Sequence, residues 1–338
     1  MTHPGEQFYP EGVHWDDPIA RGTLPDLLSK AVADYAARPA IEFRDRAISY
    51  TELEALVEVA ASAYLDAGYG KNNSVALFLG NSPDHPVNFF GALKAGARVV
   101  HLSPLDGERA LFHKLSDSGA RILVTSDLAA LLPTALKFLD KGLLDRLIVC
   151  ADEHWGAVGN PHAPIPDHPA ITTFAGFAKG AARPAQWPEI SPGDVALLQY
   201  TGGTTGLPKG AMLSHLNLTS AVSIYDVWGR PAREKRNAIE RVICVLPLFH
   251  IFALTVVMLT SIRRGNLISL HQRFDVEAVM RDVEVKRATA FPGVPTMWIA
   301  IASLPDLDKR DLSSLASCGS GGAPLPVEVA KIFERKVG

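Results

Sequence analysis

The chain has 338 residues, 47% of them hydrophobic and 20% charged, which gives ample apolar material for a core and excludes disordered, collagen-like and coiled-coil classes. Lys and Arg total 33 against 36 for Asp and Glu, a net charge of −3 that leaves no basic excess for a nucleic acid partner. Three cysteines, Cys150, Cys244 and Cys318, lie far apart without a C-x-x-C pair, so a reducing cytoplasm is expected rather than a disulfide framework. Residues 1–10 carry no basic start followed by an apolar run, so no secretory signal is expected.

Two capping-box patterns, Thr23 with Asp26 and Thr51 with Glu54, predict helix starts. In the second helix Leu53, Leu56, Val57, Ala60 and Tyr64 repeat on one face and Gly68 supplies a left-handed stop. Residues 74–79 predict a buried strand, 86–95 a helix closed by Gly96, and 97–102 the next strand. The alternation continues with a helix over 108–116, a strand over 121–125, a helix over 131–139 and a strand over 147–150, the pattern of a parallel α/β lobe. Between 152 and 192 periodicity fails and seven prolines punctuate a loop-rich passage. His154, His162 and His168 belong to that loop and read as solvated rather than as metal ligands.

A second series follows: strand 195–199, helix 216–222, strand 242–246, helix 275–283 and strand 289–291. Residues 242–262 lack any Asp, Glu, Lys or Arg and could span a bilayer by length, but Pro247 and His250 interrupt them, so a strand, a turn and a buried helix from about Phe252 are expected instead. The expected organisation is a first α/β lobe over 1–160, a Pro-rich connecting loop over 161–192 and a second α/β lobe over 193–338. Both lobes should hold mostly parallel sheets with flanking helices.

The chemistry concentrates after Tyr200. Thr201-Gly202-Gly203-Thr204-Thr205-Gly206-Leu207-Pro208-Lys209-Gly210 contains four glycines, three threonines and one lysine. Glycines let backbone N–H groups converge on phosphate oxygens, threonine hydroxyls add donors, and lysine supplies a compact positive charge. The phosphotransferase loop G-x-x-x-x-G-K-[ST] does not match, because Leu207 and Pro208 separate Gly206 from Lys209.

The segment Tyr200 to His215, YTGGTTGLPKGAMLSH, resembles the nucleotide-phosphate loop of the adenylate-forming (AMP-binding) enzymes, the acyl-CoA synthetase superfamily, and most of all its fatty acyl-CoA ligases. Further matches occur in the family's order: Ile48-Ser-Tyr-Thr-Glu-Leu53, Leu93-Lys-Ala-Gly-Ala97, Leu246-Pro-Leu-Phe-His-Ile-Phe252 and Gly319-Ser-Gly-Gly-Ala-Pro-Leu325. The resemblance implies the large N-terminal domain of that fold, ATP-dependent activation of a carboxylic acid through an acyl-adenylate, and thioester formation with coenzyme A. Medium- or long-chain fatty acids are the expected substrates, with dicarboxylic or aromatic acids as alternatives.

By that resemblance Thr201, Gly202, Gly203, Thr204, Thr205 and Gly206 close over the ATP phosphates, Lys209 adds a cation, and magnesium bridges phosphate oxygens. Gly319, Gly321, Gly322, Ala323 and Pro324 form the turn between adenine and acyl group. Phe291-Pro-Gly-Val-Pro-Thr-Met-Trp298 resembles the acyl-tunnel segment, with Gly293 and Val294 as lining residues. His250, alone in an apolar run, would read as a core residue on composition, and the resemblance makes it a positioning or oxyanion-contacting group rather than a general base. The basic stretch Arg230, Arg233, Lys235, Arg236 and Arg241 is interleaved with Glu234 and Glu240 and reads as a solvated face.

The family pattern continues beyond residue 338, with a magnesium-holding glutamate, a ribose-binding aspartate and a small C-terminal domain bearing a catalytic lysine. None has a counterpart in residues 1–338, so this chain is expected to be an N-terminal part with weak ATP binding and little adenylation alone. A non-catalytic nucleotide- or partner-binding remnant is the alternative. The oligomeric state is not legible from the sequence.

Overall fold

A computed structural model describes residues 3–201, 207–236 and 239–337. Thr23 and Asp26 exchange both hydrogen bonds of a capping box and open the helix Leu24–Tyr35. The second box forms two residues before its expected place: Ser49 and Glu52 exchange the bonds, and the helix Tyr50–Asp66 starts there. Both spacings fit a box, and the neighbouring chain decides between them, because Thr51 gives its hydroxyl to the Ala36 carbonyl instead.

The strands are β1 (Pro39–Phe43), β2 (Arg46–Ser49), β3 (Ser74–Leu77), β4 (Arg98–His101), β5 (Ile122–Ser126), β6 (Arg146–Cys150), β7 (Ile171–Thr173), β8 (Val195–Thr201), β9 (Lys209–Ser214), β10 (Arg241–Cys244), β11 (Leu267–Leu270), β12 (Ala290–Gly293) and β13 (Ser317–Ser320). They form a seven-stranded sheet, β7-β6-β5-β3-β4-β8-β9, and a six-stranded sheet, β13-β12-β10-β11-β1-β2. All described pairings between these strands are parallel except the two edge hairpins, β8 with β9 and β1 with β2. Helices pack on the sheets, giving a mixed α/β fold, as crossover connections between parallel strands require.

The sheets do not divide the chain at residues 161–192. Strands β1 and β2 come from the first 160 residues but pair into the six-stranded sheet through β11, while β8 and β9 lie beyond the Pro-rich passage and complete the seven-stranded sheet beside β4. One apolar cluster holds Ile41 and Val242 of one sheet together with Leu77 and Ile148 of the other. The helix Asp84–Lys94 is buried from Asp84 to Leu93 within this shared core. Arg44, in the β1–β2 turn, crosses to Asp152 with Nη2 2.9 Å from both carboxylate oxygens, and both side chains are buried.

The uncharged run from residue 242 folds as core. After β10 and a turn at Pro247, the π-helical stretch Ala253–Leu259 and the short helix Thr260–Arg264 place nearly every side chain inside. The wider turn leaves carbonyls to satisfy, and Thr255 and Thr260 donate their hydroxyls to Ile251 and Thr255 carbonyls, each at 2.7 Å. Among the described residues no helix is long and apolar enough to cross a membrane.

Candidate active site

Gly293, Val294, Gly319, Gly321 and Gly322 gather where β12 and β13 of the six-stranded sheet end. Strand β13 pairs with β12 so that Gly319 faces Pro292 and Ser320 faces Gly293, and the chain continues from both carboxyl ends into the expected tunnel and adenine segments. Gly321 N–H donates to the Gly293 carbonyl at 3.2 Å, and Trp298 Nε1 donates to the Gly319 carbonyl at 3.1 Å. Side chains would be crowded here: a Cβ on Gly293 would lie 3.0 Å from Trp298 Nε1, and one on Gly321 would lie 3.2 Å from the Phe252 ring, so either ring would have to give way. Gly322 has φ +81°, and a Cβ there would reach Val294 at 3.6 Å. Gly293, Val294, Gly319, Gly321 and Gly322 thus form one small-residue floor, with Ala323 and Pro324 exposed at its edge. Crevices at the carboxyl ends of parallel strands are where α/β folds bind ligands.

The Gly/Thr passage joins β8 to β9. Thr201 pairs with Lys209 at the mouth of this hairpin, and both are exposed. The expected phosphate-binding residues Gly202, Gly203, Thr204, Thr205 and Gly206 lie outside the described residues. Among the described residues Lys209 forms no salt bridge, which leaves its ammonium available to an anion. Both roots of the hairpin are tied to the helix Glu108–Ser118: the Tyr200 hydroxyl donates to Asp117 Oδ2 at 2.6 Å, and His113 Nε2 lies 2.8 Å from the Pro208 carbonyl.

His250 is exposed, against the core environment its apolar surroundings suggested by composition. Its Nδ1 accepts from the Phe252 N–H at 3.3 Å, its N–H donates to the Pro247 carbonyl at 2.9 Å and its carbonyl accepts from Leu254 N–H at 3.0 Å. A neutral ring that accepts through Nδ1 carries its proton on Nε2, so His250 presents a donor to solvent beside Phe252 and the glycine floor.

Two amide side chains that sequence reading missed hold this segment from the other sheet. Asn81, buried just beyond β3, accepts from Leu248 N–H at 2.9 Å and donates to the carbonyls of Leu246 at 3.0 Å and His271 at 3.1 Å. Gln199 of β8 donates to the Phe249 carbonyl at 3.2 Å. A lone amide has no motif, and only its position between two sheets gives it a role.

The other candidates have local partners. Arg230 pairs with Asp17, Arg233 with Asp226, Arg236 with Glu240 and Arg241 with Glu42, so these arginines are half-buried in ion pairs rather than forming a freely solvated face. Arg263 and Arg264 both pair with Asp226. His154 stacks edge-on against Trp155, and His168 Nδ1 accepts from Ala170 N–H. No group of three His, Cys, Asp or Glu suited to a metal ion occurs among the described residues. The described part of the site therefore offers a cation, hydroxyl and imidazole donors and a flat small-residue floor, which suit a nucleotide phosphate and base, but no ligand set of its own for magnesium.

The family model described as AMP-binding enzyme matches residues 28–338. The long-chain-fatty-acid–CoA ligase of Bacillus subtilis (strain 168) is 32% identical over 343 residues, covering 98% of this chain and 60% of that protein. 4-Coumarate–CoA ligase 1 of Arabidopsis thaliana is 29% identical over 319 residues, covering 93% of this chain and 54% of its own length. Among solved structures, the anthranilate CoA ligase AuaEII in complex with anthranoyl-AMP superposes with a TM-score of 0.79 at 21% identity, over 96% of this chain and 59% of that one. This chain belongs to the AMP-binding enzyme family, the adenylate-forming enzymes. It spans about 60% of the length of the fatty-acid ligase it matches.

Proposed function

We propose that this protein activates a carboxylic acid with ATP and transfers the acyl group to coenzyme A, and that the acid is a medium- or long-chain fatty acid. A carboxylate oxygen attacks the α-phosphorus of ATP, the bond to pyrophosphate breaks, and an acyl-adenylate forms. The thiol sulfur of coenzyme A then attacks the acyl carbon, AMP leaves and the thiol proton passes to solvent. Negative charge gathers on the phosphates in the first step and on the acyl oxygen in the second, so the protein's task is to place fixed donors there.

In this reading Thr201, Gly202, Gly203, Thr204, Thr205 and Gly206 hold the phosphates with Lys209, and Gly319, Gly321, Gly322, Ala323 and Pro324 admit the flat base. Gly293 and Val294 border the acyl chain. His250 aims its Nε2–H at the carboxyl oxygen and does not remove a proton. Magnesium, arriving with ATP, would neutralise phosphate charge beside Lys209 and the threonine hydroxyls.

One observation carries the reading: residues 249–252 touch both the glycine floor, through Phe252 beside Gly321, and the end of β8, through the Phe249 carbonyl and Gln199, although the three segments lie far apart in sequence. The fatty acid is favoured by the fatty-acid ligase relative, and the aromatic alternative by the coumarate and anthranilate ligases. A cytoplasmic setting and weak activity of residues 1–338 alone belong to the same proposal.

The test is pyrophosphate release and hydroxylamine trapping of acyl-adenylate with fatty, dicarboxylic and aromatic acids, alongside calorimetric binding of a non-hydrolysable acyl-adenylate analogue. Preference for fatty acids supports the reading. Binding without turnover by a polypeptide as long as the relatives would make the non-catalytic remnant the better one.

A further inference from the structure

We infer that Gln199 is a positioning residue for His250, held in its working orientation by the buried imidazoles of His101 and His85. The inference rests on the role proposed for His250. It starts from a chain of three contacts that runs inward from the site. Gln199 Nε2 lies 3.2 Å from the Phe249 carbonyl, Gln199 Oε1 lies 3.4 Å from His101 Nδ1, and His101 Nε2 lies 3.2 Å from His85 Nε2. His85 Nδ1 is buried and has no hydrogen-bond partner.

With both rings neutral, only one proton arrangement satisfies these contacts. The Phe249 carbonyl can only accept, so the Gln199 amide must turn its nitrogen there and its oxygen to His101. That oxygen can only accept, so His101 carries its proton on Nδ1 and leaves Nε2 bare. The bare nitrogen accepts from His85 Nε2–H, which leaves His85 Nδ1 as an acceptor. The orphan atom is thus the one that the chain's direction demands. Burial keeps both rings uncharged, pushing His101 down to about 4 and His85 well below the ordinary imidazole range.

The outer end of this chain is what bears on catalysis. Fixing the Phe249 carbonyl fixes the plane of the peptide that leads into His250, and among the described residues the other side-chain hydrogen bonds reaching this segment from the side of the seven-stranded sheet are those of Asn81 with Leu246 and Leu248. Gln199 also lies on β8, three positions before Gly202, so the strand that launches the phosphate passage is the strand that sets the imidazole. A displacement of about 1 Å in a reacting group can cost on the order of a hundredfold in rate, so a single amide bond at this place is enough to matter.

The experiment labels histidine nitrogens in the 338-residue chain and reads ring tautomers by long-range proton–nitrogen correlation at neutral pH, for wild type, Gln199→Leu and Gln199→Glu. Wild type should show His101 protonated on Nδ1, His85 on Nε2 and His250 in one state. Gln199→Glu keeps an oxygen for His101 but places a second acceptor against the Phe249 carbonyl, so the His101 tautomer should persist while the His250 signal shifts or splits. Gln199→Leu should disturb both.

In acyl-adenylate formation, Gln199→Leu should lower kcat at least tenfold with KM for ATP changed less than about twofold. A proton on His101 Nε2 in wild type, or unchanged His250 signals and kcat in both variants, would overturn the assignment and leave Gln199 a core residue. Absence of adenylation by any wild-type polypeptide would count against the proposed function, while the tautomer measurements would still decide the positioning.

Discussion

His113 and Pro208 meet at 2.8 Å, imidazole Nε2 to backbone carbonyl, at one root of the β8–β9 hairpin. Tyr200 holds the other root through Asp117, on the same helix as His113. The passage assigned to the phosphates is thereby spanned by two hydrogen bonds to one rigid element. Removing them with His113→Ala and Tyr200→Phe should raise KM for ATP severalfold, while each change costs only about 1 kcal/mol of stability. Isothermal binding of ATP beside thermal melts checks this, and unchanged KM in the double variant would show that the helix does not set the hairpin.

Lys209 is exposed and free of salt bridges among the described residues, so Lys209→Ala has little native structure to damage. Adenylation should fall by tenfold or more for Lys209→Ala and for Thr204→Ala, and the melting temperature of Lys209→Ala should move little, since surface changes usually stay within about 0.5 kcal/mol. For His250→Ala the fold should persist and kcat should drop. Stability and activity falling together in these variants would return the residues to a structural role.

Arg44 and Asp152 form a buried ion pair between the β1–β2 turn and the segment after β6. The Arg44 guanidinium also reaches the Gln272 side chain and the Asp152 and Gly156 carbonyls. Arg44→Met should strand the Asp152 carboxylate in the core and cost roughly 3–5 kcal/mol, read as a lower denaturation midpoint. Replacing both partners with apolar residues should recover much of that loss, because no uncompensated charge remains.

Stability should fall on acidification, and the sign follows from the buried rings. Burial depresses His101 and His215 to about 4 from 6.5 and lowers His85 further, so the unfolded chain binds more protons below pH 6.5. Stability present above 6.5 is lost as pH falls toward 4, by about 3 kcal/mol for His101 alone. Asp84 opposes this: burial raises its carboxyl from 3.8 to about 6, a penalty that is full above pH 6 and fades as the pH falls toward 3.8. Denaturation midpoints between pH 7 and 4 should therefore decline, less steeply in His101→Gln, while Asp84→Asn should be more stable at neutral pH and decline more steeply.

Periodicity, caps and the Tyr200–His215 motif are properties of neighbouring residues, and they were legible: nearly every helix and strand expected between residues 74 and 150 occurs within a few residues of its place. The α/β class and the family followed from them. Tertiary structure decided what depends on distant partners. Strand β11 and the edge strands β2, β7, β9 and β13 are short or only partly apolar, and they become strands through the pairings that neighbouring strands offer. The capping choice between Ser49 and Thr51 turned on the Ala36 carbonyl. Asn81, Gln199, His85 and His101 carry no local pattern, because a buried polar side chain acquires its function from the partners that desolvation obliges it to find.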